Sequence, residues 1–168
     1  MVKVEEHTGN IWSMLPPVTD HSESGSWAVV PVNQLGVMGA GLAKEAYSRF
    51  PKQCQDDIAA RKEQCSKPHT QQVLVRMYPP LIFFPTKWDW AKNADLQLIA
   101  WSLDDLTMEL VKEVEAFKKP IRVAMPHIGC GLGHLQWDVI RYMIRGMVYQ
   151  LSLFELATDI TITLVSWQ

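Results

Sequence analysis

Apolar residues along this chain follow two rhythms: short runs of β-branched residues, and longer stretches in which every third or fourth position is apolar. Residues 2–6 predict a first strand and residues 27–32 a buried second one, separated by Pro16-Pro17 and residues 20–25, whose types suit surface loop. From Ala40, the positions Leu42, Ala43, Ala46, Tyr47 and Phe50 recur at helical spacing, and Pro51 closes that helix. A weaker helix is expected over residues 53–62. Val73, Val75 and Met77 alternate with polar residues as a half-buried strand, and residues 81–84 follow across Pro79-Pro80 as its hairpin partner. The clearest helix runs through Leu96, Ile99, Leu103, Leu106, Leu110, Val114 and Phe117, with Asn93 as its expected cap and Lys118-Lys119-Pro120 as its end. Residues 122–125 read as a strand that feeds a glycine-rich turn. A helix with Trp137, Ile140, Ile144, Met147 and Leu151 inward comes next, and residues 160–165 form a last strand. Strands alternating with helices predict one α/β/α sandwich with helices on both faces of a sheet.

Composition narrows the class. The 168 residues are 48% hydrophobic and 20% charged, which excludes disordered and collagen-like chains and leaves a single globular domain over 1–168 as the expectation. Sixteen Lys and Arg against eighteen Asp and Glu give a net charge of −2, which argues against a binder of unmodified DNA working through many phosphate contacts. No stretch is apolar for long enough to span a bilayer and no signal peptide is visible, so the expected location is the cytoplasm and no membrane partner is expected. Cys54, Cys65 and Cys130 show neither disulfide nor metal-ligand spacing; no metal and no cofactor are expected.

Two segments share one design, a buried strand running into a glycine-dense turn that opens a helix. They are Asn33-Gln-Leu-Gly36-Val37-Met38-Gly39-Ala-Gly41 and Pro126-His-Ile128-Gly129-Cys130-Gly131-Leu132-Gly133. Glycines let backbone approach a ligand, and free N–H groups at a helix start favour anions, so each is a candidate phosphate cradle and the pair suits a diphosphate. Neither is a P-loop, since no Gly-Lys-Ser/Thr follows. A dinucleotide fold would need an acidic residue ending a second strand about 20 residues on, where Arg61 sits in a predicted helix. Lys87 follows an apolar strand among aromatics, a setting in which a lysine can serve as nucleophile, although such lysines more often reach solvent or pair with a neighbour such as Asp89. His127 and His134 flank the second turn as possible acid/base groups, and Cys130 reads as a small filler. Trp88 and Trp90 closely follow Lys87 and could offer a stacking face to a base.

Four ordered stretches together resemble the macrodomain family: Thr8-Gly-Asn10-Ile11, Asn33–Ala43, Phe84-Pro-Thr-Lys87-Trp88 and Pro126–Trp137. Within the family they look most like the branch of the terminal ADP-ribose protein glycohydrolase and the DNA ADP-ribosyl glycohydrolase macrodomain. The resemblance implies a mixed, about six-stranded sheet between helices, with ADP-ribose in a cleft at the strand ends. It implies that Asn10 and Ile11 meet the adenine and that Asn33 reaches the distal ribose. The stretch Gly36, Val37, Met38, Gly39 and Gly41 would border the distal ribose and diphosphate. Ile128, Gly129, Cys130, Gly131, Leu132 and Gly133 would wrap the diphosphate from the other side. Lys87 matches the branch's catalytic lysine, which attacks the anomeric carbon of the distal ribose.

Two positions depart from the wider family. Asn10 stands where most macrodomains carry an aspartate that accepts from the adenine amino group; its amide oxygen accepts without charge. Gly133 stands where the protein-directed glycohydrolase has a catalytic aspartate, which leaves His134 as the favoured general acid and Asp89 as the other candidate. The expected activity is hydrolysis of an ADP-ribosyl linkage to a DNA base or an acidic side chain, by a monomer whose partner is ADP-ribose or an ADP-ribosylated substrate. The alternatives are a phosphatase acting on ADP-ribose 1″-phosphate and a reader without turnover.

Overall fold

The computed structural model describes residues 1–66 and 73–167. Six strands form one mixed sheet: β1 (Val2–Thr8), β2 (Ser26–Asn33), β3 (Arg76–Tyr78), β4 (Leu81–Lys87), β5 (Ile121–Pro126) and β6 (Ile160–Ser166), in the order β1-β6-β5-β2-β4-β3. All neighbours are parallel except β3 and β4, which form the expected antiparallel hairpin. Helices α1 (Gly41–Arg49) and α2 (Pro51–Cys65), with a 3-10 turn at Ile11–Met14, pack on one face. Helices α3 (Leu96–Phe117) and α4 (Trp137–Ser152) cover the other. Among the described residues no helix is long and apolar enough to cross a membrane.

Period-two side-chain alternation builds the three layers. In β2, Trp27 and Val29 face α3 and α4, whereas Ala28, Val30 and Val32 face the α1 side. In β4, Ile82 and Phe84 take the first face and Leu81 and Phe83 the second. A strand buried on both faces therefore reads as an unbroken apolar run, as residues 27–32 and 81–84 do.

Several local expectations are corrected. The cap of α3 is Asp95, whose carboxylate accepts from the N–H groups of Gln97 and Leu98 at 2.8 and 3.1 Å; Asn93 lies two residues too early to reach them. The strand expected from Val73 is reduced to Arg76–Tyr78, because the N–H of Val73 donates to the Gln64 side chain and that of Val75 to Asp105. Pro51 ends α1 and also starts α2, occupying the first helical position, where its missing N–H costs no bond. Tyr47, expected inward, is exposed, as are Leu96 and Phe117 at the two ends of α3.

Candidate active site

The parallel strands β2, β4, β5 and β6 end on one rim, and a cleft of about 860 Å³ opens there. Parallel sheets place ligands at the carboxyl ends of their strands, because the loops there are free of the sheet and each following helix points its N-terminus at them. One wall is the first glycine turn with the start of α1, contributing Val37, Gly39, Gly41 and Leu42; the other is the second turn, contributing Gly129 to Gly133.

Asn33 ends β2 and holds the first turn. Its amide nitrogen donates to the Val37 carbonyl at 2.7 Å, and its amide oxygen accepts from the Val37 N–H at 3.2 Å. Helix α1 then starts at Gly41 with no side chain capping it among the described residues, and Ala40, Gly41, Leu42 and Ala43 of its first turn line the cleft. Beneath this turn lies a buried network. Arg61, fully buried on α2, donates to Asp57 at 2.8 Å, to the Gln34 side chain at 2.6 Å and to the Leu74 carbonyl at 3.0 Å. Burial pushes the Asp57 carboxyl up and the Arg61 guanidinium down, while each charge opposes the shift in the other.

The second turn is held by its own backbone. Leu135 N–H donates to the Gly129 carbonyl at 2.9 Å, Cys130 N–H to the His127 carbonyl at 3.1 Å, and Ala94 N–H to the Gly133 carbonyl at 3.1 Å. Two glycines are obligatory here. Gly129 has φ +73°, and a Cβ on it would meet Ile99 Cδ1 at 2.9 Å. A Cβ on Gly133 would fall inside van der Waals contact of the Gly129 carbonyl oxygen and 2.7 Å from Ala94 Cβ. No side chain, and so no catalytic carboxylate, fits at 133 without moving the turn. Among the described residues, the N–H groups of Gly131, Leu132 and Gly133 find no protein acceptor, which leaves them to an anion.

Lys87 joins the two walls. A register shift between β2 and β4 pairs Val32 with Pro85 but Asn33 with Lys87, so Thr86 is an extra residue that bulges the strand and re-aims the lysine. The β4 end is pinned by Asp95 N–H to the Thr86 carbonyl at 2.9 Å and by Gln34 N–H to the Lys87 carbonyl at 3.0 Å. Lys87 Nζ donates to the Leu132 carbonyl at 2.8 Å. Among the described cleft-lining residues it is the one lysine or arginine, and none carries a carboxylate.

His127 follows β5 and lines the same cleft, its ring stacked on Trp137 at 3.7 Å and 8°. Burial pushes its imidazole below the ordinary value, Glu6 pulls it up and Arg141 pushes it down again. Cys130 lines the cleft with its thiol donating to the Ile128 carbonyl, and burial pushes that thiol up, so it stays protonated and inert.

Of the residues singled out in the sequence, Lys87, Asn33, Val37, Gly39, Gly41, Gly129, Cys130, Gly131, Leu132 and Gly133 line the cleft together. Gly36, Met38, His134, Asp89, Asn10, Ile11 and Ile128 are not among the lining residues. Ile11 and Ile128 are fully buried in the core, and Asn10 caps the 3-10 turn by accepting from Trp12 N–H at 2.9 Å. Trp90 lines the cleft, whereas Trp88 turns to Asp95 at 3.1 Å and to the Trp101 ring. Sequence reading missed Trp167, a half-exposed indole on the cleft wall. Its signal was available: like Lys87, it stands directly where a buried strand ends.

No family model matches the chain. A curated DNA ADP-ribosyl glycohydrolase of Thermus aquaticus is 29% identical over 122 residues, covering 68% of this chain and 31% of its own length. The chain spans about a third of the length of the curated relatives it matches. The solved macrodomain of Mycobacterium tuberculosis DarG superposes with a TM-score of 0.69 at 24% identity, covering 95% of this chain and 96% of that one. Thermosipho africanus DarTG in complex with ADP-ribose matches with a TM-score of 0.57 at 26% identity, over 85% of this chain and 39% of that one. The chain therefore has the macrodomain fold and resembles the macrodomain of DarG, as its four motifs led one to expect.

Proposed function

We propose that this chain binds ADP-ribose in the cleft and hydrolyses an ADP-ribosyl linkage with Lys87 as the nucleophile. The observation that carries the reading is Lys87 Nζ, re-aimed by the strand bulge and held 2.8 Å from the Leu132 carbonyl between the two glycine turns. The unfilled N–H groups of the second turn and the uncapped start of α1 suit the diphosphate, and Trp167 or Trp90 supplies a face for the adenine. The DNA ADP-ribosyl glycohydrolase names of the relatives and the ADP-ribose of the Thermosipho africanus complex support the same assignment.

The free amine of Lys87 attacks C1″ of the distal ribose. As the Nζ–C1″ bond forms, the bond to the linked group breaks and its electron pair leaves with that group. With no carboxylate on the cleft wall among the described residues, the linkages that suit the site are those whose leaving group departs as a stable anion, a carboxylate or an imide-type base nitrogen. Hydrolysis of the covalent intermediate then returns the amine.

The same absence favours a second reading, an ADP-ribose reader without turnover. Titration with ADP-ribose, beside release assays on ADP-ribosylated single-stranded DNA, a glutamate-linked ADP-ribosyl peptide and ADP-ribose 1″-phosphate, separates them. Lys87→Ala is expected to lower release from the first two by at least ~10³-fold while ADP-ribose affinity changes by about tenfold or less. Full release by Lys87→Ala sinks the nucleophile; binding without release by the native chain makes it a reader.

A further inference from the structure

The hydrolytic step needs a group to take a proton from water, and the residues expected for proton transfer, His134 and Asp89, are not among those lining the cleft. His127 is. Among the described lining residues, Lys87, Cys130 and His127 carry the side chains able to give or take a proton in catalysis. Lys87 is taken by the covalent bond, and the Cys130 thiol is held protonated by its surroundings. Resting on the proposed lysine chemistry, we infer that His127 is the base that activates the water which releases ADP-ribose from Lys87.

The geometry of the sheet supports this division of labour. Lys87 ends β4 and His127 follows β5, with β2 between them, so two strand spacings, about 10 Å, separate their backbones. Both residues line the same cleft across that gap, Lys87 from its β4 side and His127 from its β5 side. The imidazole is fixed for the task by its stack on Trp137, and the charged groups facing it are Glu6 on β1 and Arg141 on α4, themselves an ion pair. The balance is complete. Water oxygen bonds to C1″, one water proton passes to an imidazole nitrogen, the bond from C1″ to the still-protonated, cationic Nζ breaks with its electron pair going to Nζ so that the lysine departs as the neutral amine, and the imidazolium then loses its proton to solvent.

A base works only in its neutral form, so the rate of this step rises with pH through the His127 titration and is level above it. Burial places that rise on the acid side of 6.5, the ordinary histidine value. Removing the Arg141 cation raises the histidine's proton affinity and moves the rise to higher pH. Removing the Glu6 carboxylate moves it to lower pH.

The test is single-turnover release from ADP-ribosylated single-stranded DNA and from the glutamate-linked ADP-ribosyl peptide. It compares the native chain with Lys87→Ala, His127→Gln, Arg141→Met and Glu6→Gln, beside ADP-ribose titration and intact-protein mass spectrometry of quenched reactions. His127→Gln is expected to keep ADP-ribose binding, to lose about 10²-fold or more in release, and to accumulate protein heavier by one ADP-ribosyl group. The acid limb is expected to move upward in Arg141→Met and downward in Glu6→Gln. Native release rates in His127→Gln, with Lys87→Ala inactive, overturn the role of His127 and leave the lysine chemistry standing. Full activity in Lys87→Ala overturns both. If His127→Gln fails to bind ADP-ribose, the Arg141→Met profile decides, and an unmoved acid limb there overturns the inference.

Discussion

The two glycine turns look alike as sequence and are held by different physics. The first is supported from outside: Asn33 clamps Val37, Arg61 reaches from α2 to Gln34, and a Cβ on Gly39 would meet nothing within 4 Å. The second supports itself, folded so tightly that Gly129 and Gly133 have no room for a side chain. Glycines of similar motifs can therefore differ in what they do: Gly39 leaves open space at the cleft, whereas Gly129 and Gly133 permit close packing.

Three substitutions sharpen or break that contrast. Arg61→Met strands the buried Asp57 carboxylate, whose second oxygen has no partner among the described residues, and is expected to cost about 3–5 kcal/mol in urea unfolding. A loss below ~1 kcal/mol would show that the first turn does not depend on its buried support. Gly133→Ala forces a methyl against the Gly129 carbonyl and Ala94, with an expected loss of about 1–3 kcal/mol and weaker ADP-ribose binding measured by calorimetry. Gly39→Ala is expected to stay within about 0.5 kcal/mol of the native chain, because its Cβ enters open space. Equal effects from the two glycine substitutions would erase the distinction.

The central strands, the long helix α3 and both turns were legible because each obeys a local rule: apolar runs for strands buried on two faces, three-to-four spacing for a helix with one wet face. Helix α2 read as weak for a physical reason. Its inward face carries Asp57 and Arg61, which hydrophobic periodicity counts as outward, and only their pairing makes burial tolerable. The cap of α3 and the start of β3 were missed because they depend on which side chain reaches which N–H, as with Asp95, Gln64 and Asp105. In the site, Lys87 and the glycines stood out by residue type. The bulge at Thr86 that aims the lysine and the stack that fixes His127 are products of register and tertiary contact, and leave no mark in a string of letters.

The strand order also sets a schedule for assembly. Strand β6 sits between β1 and β5, pairing Val2 with Ile160, so β1 has no sheet neighbour until β6, the last of the six strands in sequence, has been made. Such distant pairing slows folding, since the loop entropy is lost before the contact forms. Ser166 and Trp167, which line the cleft, arrive with that same strand, so a nascent chain completes the cleft wall only as synthesis reaches them.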